Sequence, residues 1–150
     1  MPNHSSTIET LKFIPVEASH AKILYKLLEN RIFNISHKEL PNYEDHLDFM
    51  FNNQYLQWYL IYSDNPIGTF YIQEDNSIGI NLEIHSDNHV EQIIKFISEK
   101  FIPQKQKASK IPPYFYVNTP IRNEQMINSL DKCKLTAIQI THKLIQNGNI

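Results

Sequence analysis

The sequence predicts one α+β domain, with a mixed, mostly antiparallel sheet of about six strands flanked by about four helices. Three observations predict it. Apolar residues recur at helical spacing in some segments and alternate in others. Three strand-like runs follow one another across short turn-forming breaks between residues 56 and 84. After them, helix and strand patterns alternate, giving the order β-α-α-β-β-β-α-β-α-β.

The first strand is read at Thr10–Val16, with Pro15 placing it at an edge or a strand end. From Ser19 the period changes. Ile23, Leu24, Leu27 and Leu28 form one face of a helix that fades near Arg31. A linker with Pro41 follows, and Asn42 is placed to cap a second helix with Asp45 three residues on. Leu47, Met50 and Phe51 are its expected buried side. The meander strands are Leu56–Tyr62, Ile67–Gln73 and Ile78–Ile84, separated by Ser63–Pro66 and Glu74–Ser77. Both breaks consist of turn formers. In the third strand Ile78, Ile80, Leu82 and Ile84 alternate with Gly79, Asn81 and Glu83.

Asn88, with Glu91 at the capping-box position, is expected to open the central helix. Val90, Ile93, Ile94, Ile97 and Phe101 form its apolar face, and Pro103 ends it. Gln104–Pro113 reads as a loop and Tyr114–Asn118 as a short strand. Thr119 and Pro120 are expected to open the last helix, with Met126, Ile127 and Leu130 inward. Leu135–Thr141 is the expected final strand. Residues 1–150 make a single domain, with flexible tails at about 1–9 and 146–150.

Composition narrows the function. The chain is 41% hydrophobic and 11% aromatic, enough for one core without disulfides. Net charge is −2 with both signs interspersed, which argues against a nucleic-acid partner. Cys133 is the only cysteine, so an intrachain disulfide and a multi-cysteine zinc site are both excluded. No run approaches the roughly 20 apolar residues of a membrane span, and the first residues lack the apolar core of a signal peptide. The expected address is cytoplasmic, with no membrane partner. Gly68, Gly79 and Gly148 are the only glycines, so neither a Walker loop nor a dinucleotide-binding glycine motif is present.

The element order resembles that of the GNAT N-acetyltransferase superfamily, and two stretches carry the resemblance. One is Asn123–Leu135 following Phe115–Asn118, where Asn123, Met126 and Lys132 fall in the family's register. Lys134 and Leu135 stand where Gly-Phe is usual. The other is the front half: Arg31, then Glu44, His46 and Phe49, then Trp58–Tyr62, then Pro66–Gly68. It is similar to GNAT enzymes that acetylate amino groups on nucleotide-linked sugars. The likeness spans roughly residues 10 to 141.

The resemblance implies acetyl-CoA as cofactor and a small-molecule amine, an amino sugar first, as acceptor. It places Leu82, Glu83 and Ile84 along the pantetheine arm, with Asn118 and Asn123 as further cofactor contacts. Glu83 is the candidate general base. A homodimer is compatible with the family. Where the family carries Arg/Gln-x-x-Gly-x-Gly/Ala for the pyrophosphate, this chain has the glycine-free stretch His85–Glu91. Asp87 and Glu91 are expected to compete there with phosphate for the helix dipole. Leu130 stands where many members have a Tyr that protonates the leaving thiolate.

Other features have simpler readings. His46 reads as a surface or packing histidine, and His85 with His89 does not present one helical face to a metal. Cys133 reads as a packed helix-end residue despite Lys132 and Lys134 beside it. Trp58, Tyr59, Tyr62, Phe70 and Tyr71 read as core and sheet surface, part of which borders the implied acceptor pocket. Three functions stay open: an acyl-CoA-dependent N-acetyltransferase, a catalytically inactive GNAT-like domain acting as a binding or assembly module, or an unrelated α+β ligand-binding domain.

Overall fold

The chain is described by a computed structural model over residues 9–31, 40–105 and 111–146. Most of the expected N-terminal tail and of the linker before Pro41, the middle of the loop after Pro103, and residues 147–150 lie outside the described residues. The elements are β1 (Lys12–Pro15), α1 (Ala21–Glu29), α2 (Tyr43–Asn52), β2 (Gln57–Tyr62), β3 (Pro66–Ile72), β4 (Ser77–Leu82), α3 (Asp87–Lys100), β5 (Tyr116–Val117) and α4 (Glu124–Lys132). A 3-10 turn, Ala18–His20, leads into α1.

The five strands form one sheet in chain order, antiparallel throughout except for the parallel pair β4 and β5. Alternation along the meander divides the apolar side chains between two faces. On one face Tyr59 stacks on Phe70, with ring centroids 5.1 Å apart. Phe96 of α3 packs edge-on against both and stacks on Phe13 at 4.2 Å. Ile93 and Ile97 complete this core. A second cluster of Val90, Met126 and Leu130 joins α3 to α4 beneath Ile80, Leu82 and Val117. On the opposite face Leu60 and Thr69 are buried, and α1 packs against β3.

Most elements fall where the apolar periodicity puts them. Asn42 caps α2, its Oδ1 accepting from Asp45 N at 2.8 Å. Several expectations are corrected. The central helix starts at Asp87, not after Asn88, because Ser86 takes the extended N-cap conformation and its hydroxyl faces His89 N. Pro120 does not open α4. Asn123 does, with its Oδ1 accepting from Met126 N at 3.2 Å. Phe51 is 70% exposed, and the buried residue of α2 is His46, at 4%. Ile127 likewise faces outward.

The expected sixth strand is absent among the described residues. Leu135 N still bonds to Leu130 O at 3.0 Å, but Lys134 adopts φ 71°, a left-handed stop that turns the chain away from the helix. Residues 136–146 then run exposed and without a ladder.

One side chain fixes the entry to β5. Asn76, in the β3–β4 turn at φ 70°, is buried at 1%. Its Nδ2 donates to Gln104 O and Pro112 O at 3.0 and 2.8 Å, and its Oδ1 accepts from Gln104 N at 2.7 Å. Both ends of the loop after α3 are thereby tied to the hairpin, which puts β5 beside β4.

Gly68 is required by close approach. A Cβ there would collide with the backbone carbonyl of Asn81 on β4. Backbone cannot rotate away as a flexible side chain can. Gly68→Ala is expected to destabilise the protein by about 1–3 kcal/mol. Urea unfolding checks this, and an unchanged midpoint would show that β4 yields without cost.

Candidate active site

β4 and β5 pair only at Ser77–Tyr116 and Ile78–Val117, and the last bond between them is Asn118 N to Ile78 O at 3.1 Å. The strands then part. Bonds Gln73 N to Ser77 O and Glu83 N to Ile67 O show that odd-numbered β4 residues face β3. Ile80 and Leu82 therefore direct their N–H and C=O toward the gap, where no backbone partner is present among the described residues. Unpaired strand groups beside an open gap are a site for an extended ligand. Pro120 helps keep the gap open, since it has no N–H to continue a ladder.

The gap widens into a cleft of ≈ 900 Å³, the solvent at its mouth included. Its walls are the second half of β4, the C-terminal end of α1 with Asn30 and Arg31, and the run from Asn118 to Met126. Leu82, Glu83, Asn118 and Asn123 all line it. Glu83 Oε1 accepts from Asn30 Nδ2 at 2.7 Å, which orients the carboxylate. Asn123 serves both as helix cap and cleft wall, its Oδ1 committed to Met126 N. Ile84 is corrected. The strand ends at Leu82, alternation stops with it, and Ile84 is 66% exposed and outside the cleft lining.

At the other end of the cleft Tyr71 crosses Gly79, where a Cβ would collide with the tyrosine ring. Tyr71 stacks on Tyr55 at 4.2 Å, the planes 7° apart. Burial pushes the phenols of Tyr55 and Tyr71 up from their ordinary value, so both stay protonated at neutral pH. Burial pulls the Arg31 guanidinium down, opposed by the nearby Tyr71 and Tyr55, and Arg31 remains a cation. Sequence reading missed this group of Arg31, Tyr55 and Tyr71 as a unit. Its one sequence signal is Gly79, a glycine inside a strand, which marks close approach by another group.

The stretch His85–Glu91 differs from a simple charge barrier. Asp87 stands in the first turn of α3 with both oxygens engaged. Lys132 Nζ donates to Oδ2 at 2.7 Å, and the buried Ser129 hydroxyl donates to Oδ1. Ser129 also meets His85 Nε2 at 2.6 Å. The carboxylate is thus neutralised from α4, and the amides of Asp87 and Asn88 have no acceptor among the described residues. Those two N–H groups at a helix N-terminus are suited to an anion. Together with the free edge of Ile80 and Leu82, they fit the extended arm and pyrophosphate of an acyl-CoA.

His46 is a packing residue, its Nε2 3.0 Å from Ala21 O. Among the described residues no group of three or more His, Cys, Asp and Glu could hold a metal ion. Cys133 is partly buried, and burial, with Glu91 and Asp87 nearby, pushes its thiol up rather than toward thiolate. No helix among the described residues is long and apolar enough to cross a membrane.

No protein-family model matches this chain, and no curated protein is significantly similar in sequence. The fold does have solved counterparts, and it is that of the GNAT acyl-CoA N-acyltransferases. The chain superposes on the dodecameric spermidine N-acetyltransferase of Vibrio cholerae with a TM-score of 0.57 and 13% identity, covering 93% of this chain and 87% of that one. An aminoglycoside acetyltransferase from an uncultured soil metagenomic sample, in complex with sisomicin, gives 0.57 and 12%, covering 91% and 95%. A ribosomal L7/L12 alpha-N-protein acetyltransferase in complex with coenzyme A gives 0.55 and 11%, covering 83% and 78%. At such identities the likeness establishes the fold.

The Lys132 ammonium and then the Ser129 hydroxyl hold the Asp87 carboxyl below its usual pKa of 3.8. A depressed carboxylate contributes stability above its unfolded pKa and loses it as pH falls through the folded value. Stability is therefore expected to fall more steeply below about pH 4 in the wild type than in Asp87→Asn. Thermal midpoints of the two proteins between pH 7 and pH 3 check this, and parallel curves would refute it.

Proposed function

We propose that this chain is an acyl-CoA-dependent N-acetyltransferase acting on a small-molecule amine, with an amino sugar as the first acceptor to test. The observation that carries the reading is the parting of β4 from β5, which leaves the backbone of Ile80 and Leu82 without a backbone partner among the described residues along a cleft. The acetyltransferase fold shared with the structures above supports it.

In this reading the Ile80 and Leu82 backbone and the Asn118 and Asn123 side chains hold the pantetheine arm. The Asp87 and Asn88 amides receive the pyrophosphate. When bound, acetyl-CoA supplies an activated acyl thioester. The chain's own part is to orient the amine and to take its proton. Glu83, held by Asn30, accepts that proton directly or through one water. An unpaired β4 amide would offer a hydrogen bond to the acyl carbonyl oxygen while the C–N bond forms and the C–S bond breaks. Leu130 is buried among Val90 and Met126 and has no hydroxyl to give, so that position would supply no acid to the leaving sulfur.

One observation favours the second reading, a GNAT-like binding or assembly module without catalysis. The Asp87 carboxylate stands in the first turn of α3, where a phosphate would bind. Calorimetry separates the two. The acetyltransferase reading expects acetyl-CoA and free CoA to bind in the micromolar range, about −8 kcal/mol. Lack of binding at millimolar ligand would instead direct attention to a protein partner. With an amine substrate in hand, Glu83→Gln is expected to lower kcat by about 10²- to 10⁴-fold at unchanged acetyl-CoA affinity. Full activity in that variant would remove Glu83 from the mechanism.

A further inference from the structure

We propose, on the acyltransferase reading of this cleft, that its acceptor is an amine carrying an oxyanion, a carboxylate or a phosphate, and that Arg31 binds that oxyanion. Among the described residues lining the cleft, Arg31 is the one permanent cation and Glu83 the one carboxylate. Glu83 is bonded to Asn30, and Arg31 has no carboxylate within 4.0 Å among the described residues. A half-buried charge without an ionic partner is costly, and a ligand oxyanion offsets that cost. Guanidinium offers a planar pair of N–H donors, the geometry that carboxylate and phosphate accept.

The surroundings of Arg31 fit this role. Tyr55 and Tyr71 lie beside it with their rings stacked, and the Tyr55 hydroxyl donates to that of Tyr71, which leaves the cleft-lining Tyr71 O–H able to donate to the same oxyanion. Gly79 provides the space for Tyr71 to lie flat across the sheet. The group stands on the β3 side of the cleft, while Asp87 and the amides at the start of α3 lie past the far end of β4. Oxyanion and pyrophosphate would thus occupy different places, about four strand residues or roughly 13 Å apart. The charge balance disfavours a polycation. Several ammonium groups call for several carboxylates, and here a single carboxylate shares the cleft lining with a guanidinium.

Matched acceptors test the proposal with the full chain. Glucosamine is compared with glucosamine 6-phosphate, putrescine with 4-aminobutyrate, and spermidine serves as the polycation. The first pair reads a phosphate and the second a carboxylate. Calorimetry without acetyl-CoA gives direct binding, and thiol release in its presence gives kcat and KM. The anionic member of at least one pair is expected to bind about 10- to 100-fold more tightly, as a hydrogen-bonded charge does. Arg31→Gln is expected to abolish that preference, and Arg31→Lys to retain part of it. Circular dichroism verifies that both variants fold. Equal binding within both pairs, or tighter binding of spermidine than of every anionic amine, would overturn the proposal. If acetyl-CoA fails to bind while an Arg31-dependent preference persists, the acyltransferase reading falls and the oxyanion site stands. If acetyl-CoA binds and only neutral or polycationic amines react, the acyltransferase reading stands and the oxyanion site falls.

Discussion

β4 and β5 run parallel for two residue pairs and then separate, and the site depends on that separation. A parallel pair normally continues, because each residue added satisfies another backbone group. Here two features stop it. Pro120 removes a donor just beyond Asn118, and Val90, Met126 and Leu130 form an apolar cluster under Ile80, Leu82 and Val117. The cluster secures the two diverging strands to α3 and α4. The gap then costs the fold little, since the apolar surface beside it is already buried.

The parting would be of little use if β5 could slide along β4. Asn76 prevents this through three hydrogen bonds to Gln104 and Pro112, from a position 1% exposed. A buried amide with its partners in place specifies one register, because any other would leave polar groups unpaired. The aromatic cluster around Phe96 does the same for the sheet, pressing α3 onto β1, β2 and β3. Electrostatics at the start of α3 follow the same pattern of local compensation. Asp87 placed alone at a helix N-terminus would repel an anion, but Lys132 and Ser129 reach it from α4 and cancel much of its field.

Much of the architecture was legible because apolar periodicity and turn chemistry are local. The meander, the amphipathic faces of α1 and α3, and the Asn42 cap needed no tertiary information. The misreadings have local causes too. Ser86 and Asn88 are both good caps, and the sequence does not say which one takes the extended backbone. Leu135–Thr141 has the composition of a strand, but a strand needs an edge to pair with, and Lys134 turns the chain away. Ile84 continued an alternation on paper that the bend after Leu82 ends in space. Leu82, Glu83, Asn118 and Asn123, named from element order and the family likeness, line the cleft. Arg31 with Tyr55 and Tyr71 was not legible as a group, because its members come from a helix end, the segment before β2, and β3.

The sequence by itself determined the fold class, the order of elements as far as α4, and which residues on β4 and at the start of α4 were candidates for the site. Those properties follow from residue size, hydrophobicity and backbone preference within a few positions. Tertiary structure alone decided that β4 and β5 part after two pairs, that Asp87 is neutralised by residues more than forty positions away, and that a guanidinium meets two phenols, one of them lying over Gly79. Each depends on which distant groups share a surface, and pairwise charge and packing act through space rather than along the chain.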